Sequence, residues 1–142
     1  MDRLSYDFFQ QDALDIAPLL LGKKLVRVFE NGTRCTSIIS EVEVYRGEED
    51  TACHACKGRT KRTDTMYYAG GVLYVYLIYG MYWMLNIVTG KADNPQALLI
   101  RGVDGTYGPG KVGKLVQLDK SFDAEDLVLF SRIWVEDMPE VK

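Results

Sequence analysis

The chain has 142 residues, of which 47% are hydrophobic and 26% charged, and its formal net charge is −3. This length predicts one domain, residues 1–142, whose core needs no metal or disulfide. No apolar run approaches the ~20 residues of a membrane span, and the N-terminus lacks the apolar core of a secretory signal. We therefore expect a cytoplasmic protein that is not secreted and has no membrane partner.

The charges are unevenly distributed along the chain. Lysines and arginines cluster at residues 57–62 and 111–114, whereas acids gather at residues 48–50 and 123–126. Basic clusters can attract an anionic partner through a local field even in an acidic protein. A mixed charged surface with no such partner explains the pattern equally well.

The first predicted elements are a helix and a β-hairpin. Residues 11–21 predict a short helix that ends at Gly22, because glycine commonly follows the last residue of a helix. Residues 24–29 and 34–45 predict two strands, and Asn31-Gly32 between them is a strong hairpin signal.

The second strand ends in alternating acidic and apolar residues. Side chains alternate along a strand, so Glu41, Glu43 and Tyr45 share one face, and Val42 and Val44 share the other. A solvated acidic face over a valine core is the simpler interpretation, since charged residues are mostly exposed. A reactive site on that face is the alternative.

Residues 46–66 form a long segment without periodicity, and loops of this length are usually functional or disordered. The segment holds the only histidine, His54, between Cys53 and Cys56. With Cys35 these residues form a hypothetical zinc site. Free thiols are the alternative interpretation, because ligands on adjacent residues suit tetrahedral geometry poorly, and we expect no metal and no cofactor.

Residues 72–88 predict a second hairpin, which turns at Gly80. Strand propensity explains several of its tyrosines. It does not explain Tyr79, Met81 and Tyr82, large side chains at a turn where polar residues are usual. An exposed apolar tip is a candidate contact surface or wedge.

The last third of the chain predicts a strand over residues 96–101, a helix over 108–118 and a final strand over 127–135. Gly108-Pro109-Gly110-Lys111 opens the helix, and free N–H groups at a helix start can hold a phosphate. The signal is weak alone, because the longer P-loop pattern is absent.

Several long stretches of the chain together resemble the alkyladenine (3-methyladenine) DNA glycosylase family. The matching stretches, in the family's order, are LLGKKLVR, EVEVYRGEEDTACHACKGRTKR, GGVLYVYLIYGMYWMLNIV, ALLIRG, GPGK and SFDAEDL. The resemblance implies an α+β fold: a single domain with a curved antiparallel β-sheet, few short helices and a protruding β-hairpin.

The resemblance also implies residue roles. Glu43 corresponds to the general base that activates the attacking water, and Arg101 to a basic residue beside that water. The implied base pocket consists of Tyr45, Ala52, His54, Tyr76 and Asn86. The implied DNA contacts are Tyr79, which fills the gap left in the duplex, with Met81, Tyr82, Arg59, Thr60, Arg62 and Lys111.

The chain departs from the family pattern in three places. Thr63 follows Arg62 where the family usually has asparagine, and the segment between Arg101 and Gly108 is shorter than usual. Relatives are expected to continue beyond Lys142, so the chain resembles a member with a short C-terminus.

The function that the resemblance implies is that of a monofunctional DNA glycosylase. Such an enzyme flips alkylated or deaminated purines out of double-stranded DNA and hydrolyses the N-glycosidic bond, which leaves an abasic site for base excision repair. No lysine belongs to the implied pocket, so we expect no Schiff base. We expect a monomer, associated with the nucleoid if the source is prokaryotic. The alternative is a non-catalytic relative that binds nucleic acid without turnover.

Overall fold

The structure is a computed structural model that describes residues 2–47, 59–61 and 63–138. Three predicted site residues, Ala52, His54 and Arg62, lie outside the described residues. Cys53 and Cys56 of the zinc hypothesis lie outside them as well.

One antiparallel sheet organises the fold. Its strands are β1 (Lys24–Val28), β2 (Arg34–Arg46), β3 (Leu73–Ile78), β4 (Tyr82–Val88), β5 (Gln96–Val103), β6 (Thr106–Tyr107) and β7 (Ile133–Glu136). Their order across the sheet is β3-β4-β5-β2-β1-β7, and β6 pairs with β5. The sheet is curved and the helices are few and short, so the predicted α+β fold class is confirmed.

The helices are α1 (Tyr6–Phe9), α2 (Ala13–Leu20) and α3 (Pro109–Leu115), with 3-10 helices at Asp64–Tyr67 and Lys120–Phe122. The Asp12 carboxylate caps α2 by accepting the N–H of Leu14 at 2.9 Å, and Gly22 follows with a φ of +87°. In the described part of the chain, none of the helices has the length and apolar character needed to cross a bilayer.

The helices cover one face of the sheet, which we call the helix-covered face. Apolar spacing along α2 turns Ala13, Ile16 and Leu20 toward the strands. The fully buried side chains on this face include Phe9, Ile16, Leu20, Leu73, Leu85, Ile87, Leu98, Ile100 and Phe122. Each contributes on the order of 1.5–3 kcal/mol through burial, so this face carries most of the hydrophobic stabilisation.

The pairing of β2 with β5 is irregular at one place. Ile39 pairs with Val103 and Val42 with Ile100, with two residues on each strand between these pairs instead of one. Both pairs therefore face the helices, although they lie three positions apart on each strand, a spacing that would place them on opposite faces of a regular strand. The irregularity turns Glu43 and Tyr45 to the opposite face, which we call the site face.

One local prediction needs correction, and the structure adds detail that the sequence patterns did not predict. The final strand begins at Ile133 and not at residue 127, because the Asp126 carboxylate accepts the N–H groups of Val128 and Leu129 and holds a turn there. The short segment after Arg101 forms a tight turn at Gly105, with a φ of +87°, that leads into β6. Sequence analysis predicted neither β6 nor α1.

Candidate active site

The predicted catalytic and pocket residues on β2, β3, β4 and β5 come together on the site face. Glu43 pairs across the sheet with Leu99, Leu99 with Asn86, and Asn86 with Tyr74. Residues directly opposite on neighbouring strands project to the same side, so these four form one row. Tyr45 and Tyr76 lie two residues further along their strands and therefore project to the same side.

Glu43 is held by two hydrogen-bond donors. Its Oε2 accepts the Tyr45 hydroxyl at 2.8 Å and Nη1 of Arg101 at 3.0 Å. The side chains of Arg101 and Glu43 are 45% and 41% exposed, so water reaches the carboxylate. An ion pair this exposed adds at most about 1 kcal/mol to stability. Its main consequence is the orientation of the carboxylate.

The Tyr45 hydroxyl keeps its proton across the physiological pH range and so remains able to donate to Glu43. Burial raises the pKa of Tyr45 well above the usual tyrosine value, and the hydrogen bond to Glu43 raises that pKa further. The Tyr45 ring packs against a small apolar cluster on the site face, formed by Met66, Tyr67, Tyr74, Val88 and Ala97.

A narrow pocket opens beside this carboxylate. It is lined by Tyr45, Met66, Tyr74, Tyr76 and Asn86 and has room for about one water molecule. The rings of Tyr74 and Tyr76 lie 5.1 Å apart at 45°. Asn86 is 1% exposed, and its Nδ2 donates to the Tyr74 carbonyl at 3.1 Å. The space between these five side chains is smaller than a purine base.

Two of these lining residues, Met66 and Tyr74, were missed by sequence analysis. Tyr74 shares the parity of Tyr76 on β3, so the alternation contained the signal needed to find it. Met66 reaches the pocket from the 3-10 helix Asp64–Tyr67, within a segment that has no periodicity. No sequence signal distinguished it.

The predicted apolar tip is present at the turn between β3 and β4. Tyr79 is 87% exposed and has a φ of +53°, followed by Gly80 at +64°. A positive φ is uncommon for a bulky residue and costs roughly 1–3 kcal/mol. Met81 is also exposed, whereas Tyr82 lies partly buried beneath α3.

The glycines at the start of α3 serve close packing against β4. A Cβ on Gly110 would lie 2.6 Å from the Tyr82 ring, and a Cβ on Gly113 would lie 2.0 Å from the Trp83 carbonyl oxygen. Lys111 is exposed on the same helix, and Lys114 Nζ lies 4.8 Å from the Tyr82 ring centroid. The DNA contact of Lys111 stays a prediction.

The described part of the basic segment is bonded to its own chain. Arg59 donates from Nε to Asp64 at 2.8 Å and from Nη1 to Asp93 at 3.0 Å. The Thr60 N–H donates to the Thr63 hydroxyl at 2.8 Å. Two carboxylates therefore offset the charge of Arg59, and the predicted DNA contacts of Arg59 and Thr60 remain predictions.

Cys35 is the one cysteine of the zinc hypothesis that the structure describes. It is half-buried on β2, with Sγ 4.0 Å from the Ser37 hydroxyl. Among residues 2–47, 59–61 and 63–138, no group of three or more His, Cys, Asp or Glu side chains could hold a metal. The hypothesis as a whole is untested, because its other members lie outside these ranges.

A larger open groove of about 840 Å³ lies at the β1–β2 turn. Its two arginines are engaged within the protein. Arg27 donates from Nε to the Val116 carbonyl at 2.7 Å, and Arg132 donates from Nε to Glu125 at 2.9 Å. Both guanidinium groups also stack on Phe122. The groove does not contain the carboxylate and tyrosine row of the site face.

Comparison with known proteins gives two concordant results. Residues 7–106 match the model of the family described as methylpurine-DNA glycosylase (MPG). Proteins provisionally named 3-methyladenine DNA glycosylase are similar to the chain. One from Natranaerobius thermophilus is 39% identical over 94% of this chain and 78% of its own length. One from Borreliella burgdorferi is 44% identical over 90% and 73%.

A third relative, from Rickettsia felis, has the same provisional name and is 43% identical over 95% of this chain and 77% of its own length. The family model and the relatives agree on a DNA glycosylase, a hydrolase class whose substrate is DNA. With the family model matched over residues 7–106 and these relatives matched over nearly all of the chain, the protein belongs to the methylpurine-DNA glycosylase family.

Proposed function

We propose that the protein is a monofunctional DNA glycosylase that removes alkylated or deaminated purines from double-stranded DNA and leaves an abasic site. The observation that carries the proposal is the position of Glu43. This partly exposed carboxylate is oriented by Tyr45 and Arg101 at the edge of a tyrosine-lined pocket. In this proposal the protein acts as a monomer in the cytoplasm, where the DNA lies if the source is prokaryotic.

The pocket chemistry suits a damaged purine. A base must leave the duplex before its glycosidic bond can be reached, at a cost of a few kcal/mol. Stacking on aromatic side chains returns about 1–3 kcal/mol per base and tolerates many bases. An alkylated purine carries positive charge, which strengthens stacking on Tyr45 and Tyr76. The buried amide of Asn86 would restrict exocyclic groups at the pocket floor.

The exposed tip of the hairpin supports base flipping. Tyr79 is presented at a turn, free of packing against its own chain over most of its surface. A large side chain inserted in the vacated stack offsets part of the flipping cost. The turn positions the Tyr79 side chain so that its ring extends away from the rest of the protein.

The hydrolytic step uses a water beside Glu43. Water oxygen bonds to C1′ of the sugar while the C1′–N bond breaks, and the bonding electron pair leaves with the purine. A cationic alkylated purine thus departs as a neutral base, whereas a neutral deaminated purine departs as an anion and takes up a proton from solvent water. The sugar develops oxocarbenium character in the transition state, which the Glu43 carboxylate stabilises as it accepts the water proton.

The described lining of the pocket supports water as the nucleophile. The residues that line it are tyrosines, a methionine and an asparagine, with no lysine among them. A bifunctional glycosylase needs an amine to form a Schiff base. We therefore expect an intact DNA strand after base release.

A single-turnover assay on a duplex with one hypoxanthine, with an etheno-adenine duplex in parallel, tests the proposal. Glu43→Gln should lower the rate about 10²- to 10⁴-fold, because the base is lost while the side-chain shape is kept. Glu41→Gln, on the same strand, is the matched control and should retain activity. Alkali treatment reveals the abasic sites, and untreated samples should show no strand break.

Binding measured on the same duplexes separates the alternatives. The wild type and Glu43→Gln should bind damaged DNA with similar affinity. Wild-type binding without product would favour the non-catalytic relative. Equal product from the wild type and Glu43→Gln would overturn the role of Glu43.

A further inference from the structure

We propose that Tyr45 is a positioning residue whose hydroxyl, together with Arg101, occupies Oε2 of Glu43 and so leaves Oε1 to take the proton of the attacking water. The role is separate from stacking by the Tyr45 ring. This inference rests on the proposed glycosylase function. It gives the Tyr45 hydroxyl, which is not needed for stacking, the task of orienting Glu43.

The geometry assigns different tasks to the two carboxylate oxygens. A carboxylate oxygen has about two lone-pair directions. On Oε2 of Glu43 both are used, by the Tyr45 hydroxyl at 2.8 Å and by Arg101 Nη1 at 3.0 Å. Among the described residues, Oε1 has no hydrogen-bond donor. The Glu43 side chain is 41% exposed, so water reaches the carboxylate group.

The hydroxyl of Tyr45 is well fixed before any substrate arrives. Tyr45 lies two residues from Glu43 on β2, so their side chains leave the same face of one strand. Its ring packs on the small apolar cluster of the site face that contains Met66, and this packing restricts the rotation of the ring. The hydrogen bond is thus preorganised, and little conformational entropy is lost when Glu43 is aligned.

The described groups around this carboxylate are few. Arg101 on β5 contacts Glu43 directly, Tyr76 on β3 faces Tyr45, and Glu41 precedes Glu43 on β2 with its carboxylate near Gly102. When the Tyr45 hydroxyl is removed, Arg101 is the remaining described donor, so the carboxylate is held by one hydrogen bond instead of two and its orientation is less restricted.

Tyr45→Phe tests the inference, because it keeps the ring and deletes only the hydroxyl. We expect the single-turnover rate on a hypoxanthine duplex to fall about 10- to 100-fold, the effect of losing a hydrogen bond to a charged group. Affinity for a duplex with a non-hydrolysable nucleotide analogue should stay within about twofold of wild type, since stacking is retained.

Tyr107→Phe is the matched control. It deletes an exposed tyrosine hydroxyl on β6, outside the pocket, and should keep the wild-type rate and affinity. With enzyme in excess the single-turnover rate constant does not depend on the folded fraction, so a loss of stability in Tyr45→Phe would not obscure the result.

Two outcomes would overturn the inference. The first is a Tyr45→Phe enzyme with the wild-type rate, which would mean that only the Tyr45 ring has a role. The second is an equal loss of rate and affinity, which would indicate that the hydroxyl serves packing. Failure of the glycosylase proposal looks different, because the wild type would then give no product or Glu43→Gln would remain active.

Discussion

The helix-covered face and the site face are made by alternate residues of the same strands, yet they differ in how their side chains are held. On the helix-covered face, residues such as Ile87, Leu98 and Ile100 are completely buried among apolar neighbours. On the site face, Glu43 and Arg101 remain half exposed and are held by two hydrogen bonds.

The contrast indicates a division of labour between stability and chemistry. Close packing fixes the strand positions on one side, and that rigidity sets the spacing of the polar groups on the other. The site face can then keep a narrow pocket and a partly solvated ion pair without a large cost to the fold.

The strongest test of this division compares two neighbouring residues of β5. Ile100→Ala should lower the free energy of unfolding by about 2–5 kcal/mol, because it leaves a cavity on the helix-covered face. Arg101→Ala should lower it by less than about 1 kcal/mol but should impair base release. Urea unfolding and single-turnover assays measure both effects. Equal destabilisation by the two variants would contradict the division.

A second test sharpens the comparison within the pocket. Methionine adapts its shape readily, so Met66 should adjust to bases of different size. Met66→Ala should raise the rate for the bulkier etheno-adenine relative to hypoxanthine by roughly fivefold to a hundredfold, since a missing group in a pocket is worth about 1–3 kcal/mol. Met66→Leu, which nearly conserves volume, is the control. An unchanged rate ratio in Met66→Ala would exclude Met66 from size selection.

The smallest expected effect concerns the hairpin tip, which belongs to neither packed face. Tyr79→Asn should raise the free energy of unfolding by about 0.5–1 kcal/mol, because asparagine tolerates a positive φ better than tyrosine. Excision from duplex DNA should fall, whereas excision from a single strand should not. A loss of stability in Tyr79→Asn would show that the exposed ring is held by contacts and not merely tolerated.

Where alternation was regular, sequence patterns predicted which side chains share a face, but alternation alone favoured a solvated acidic face, and only the family resemblance implied a reactive site there. Parity placed Glu43 with Tyr45 and Tyr74 with Tyr76, since strand geometry repeats every two residues. Parity could not predict the irregular pairing between Ile39 and Val42, because that irregularity depends on both strands at once. Met66 depends on tertiary placement of an aperiodic segment. Leu127 is buried as a residue in a strand would be, so its hydrophobic character predicted a strand and not the turn at Asp126.

The contact between α3 and β4 has a mechanical consequence for the hairpin. At Gly113 the helix backbone meets the Trp83 carbonyl with no side chain between them, and Val112 and Val116 anchor α3 in the buried cluster. A force applied at Tyr79 would be transmitted along β4 to the contact between the α3 and β4 backbones, and from there to the core. The contact thus stiffens the base of the hairpin, and in the proposed function this stiffness would keep Tyr79 in place against a DNA duplex.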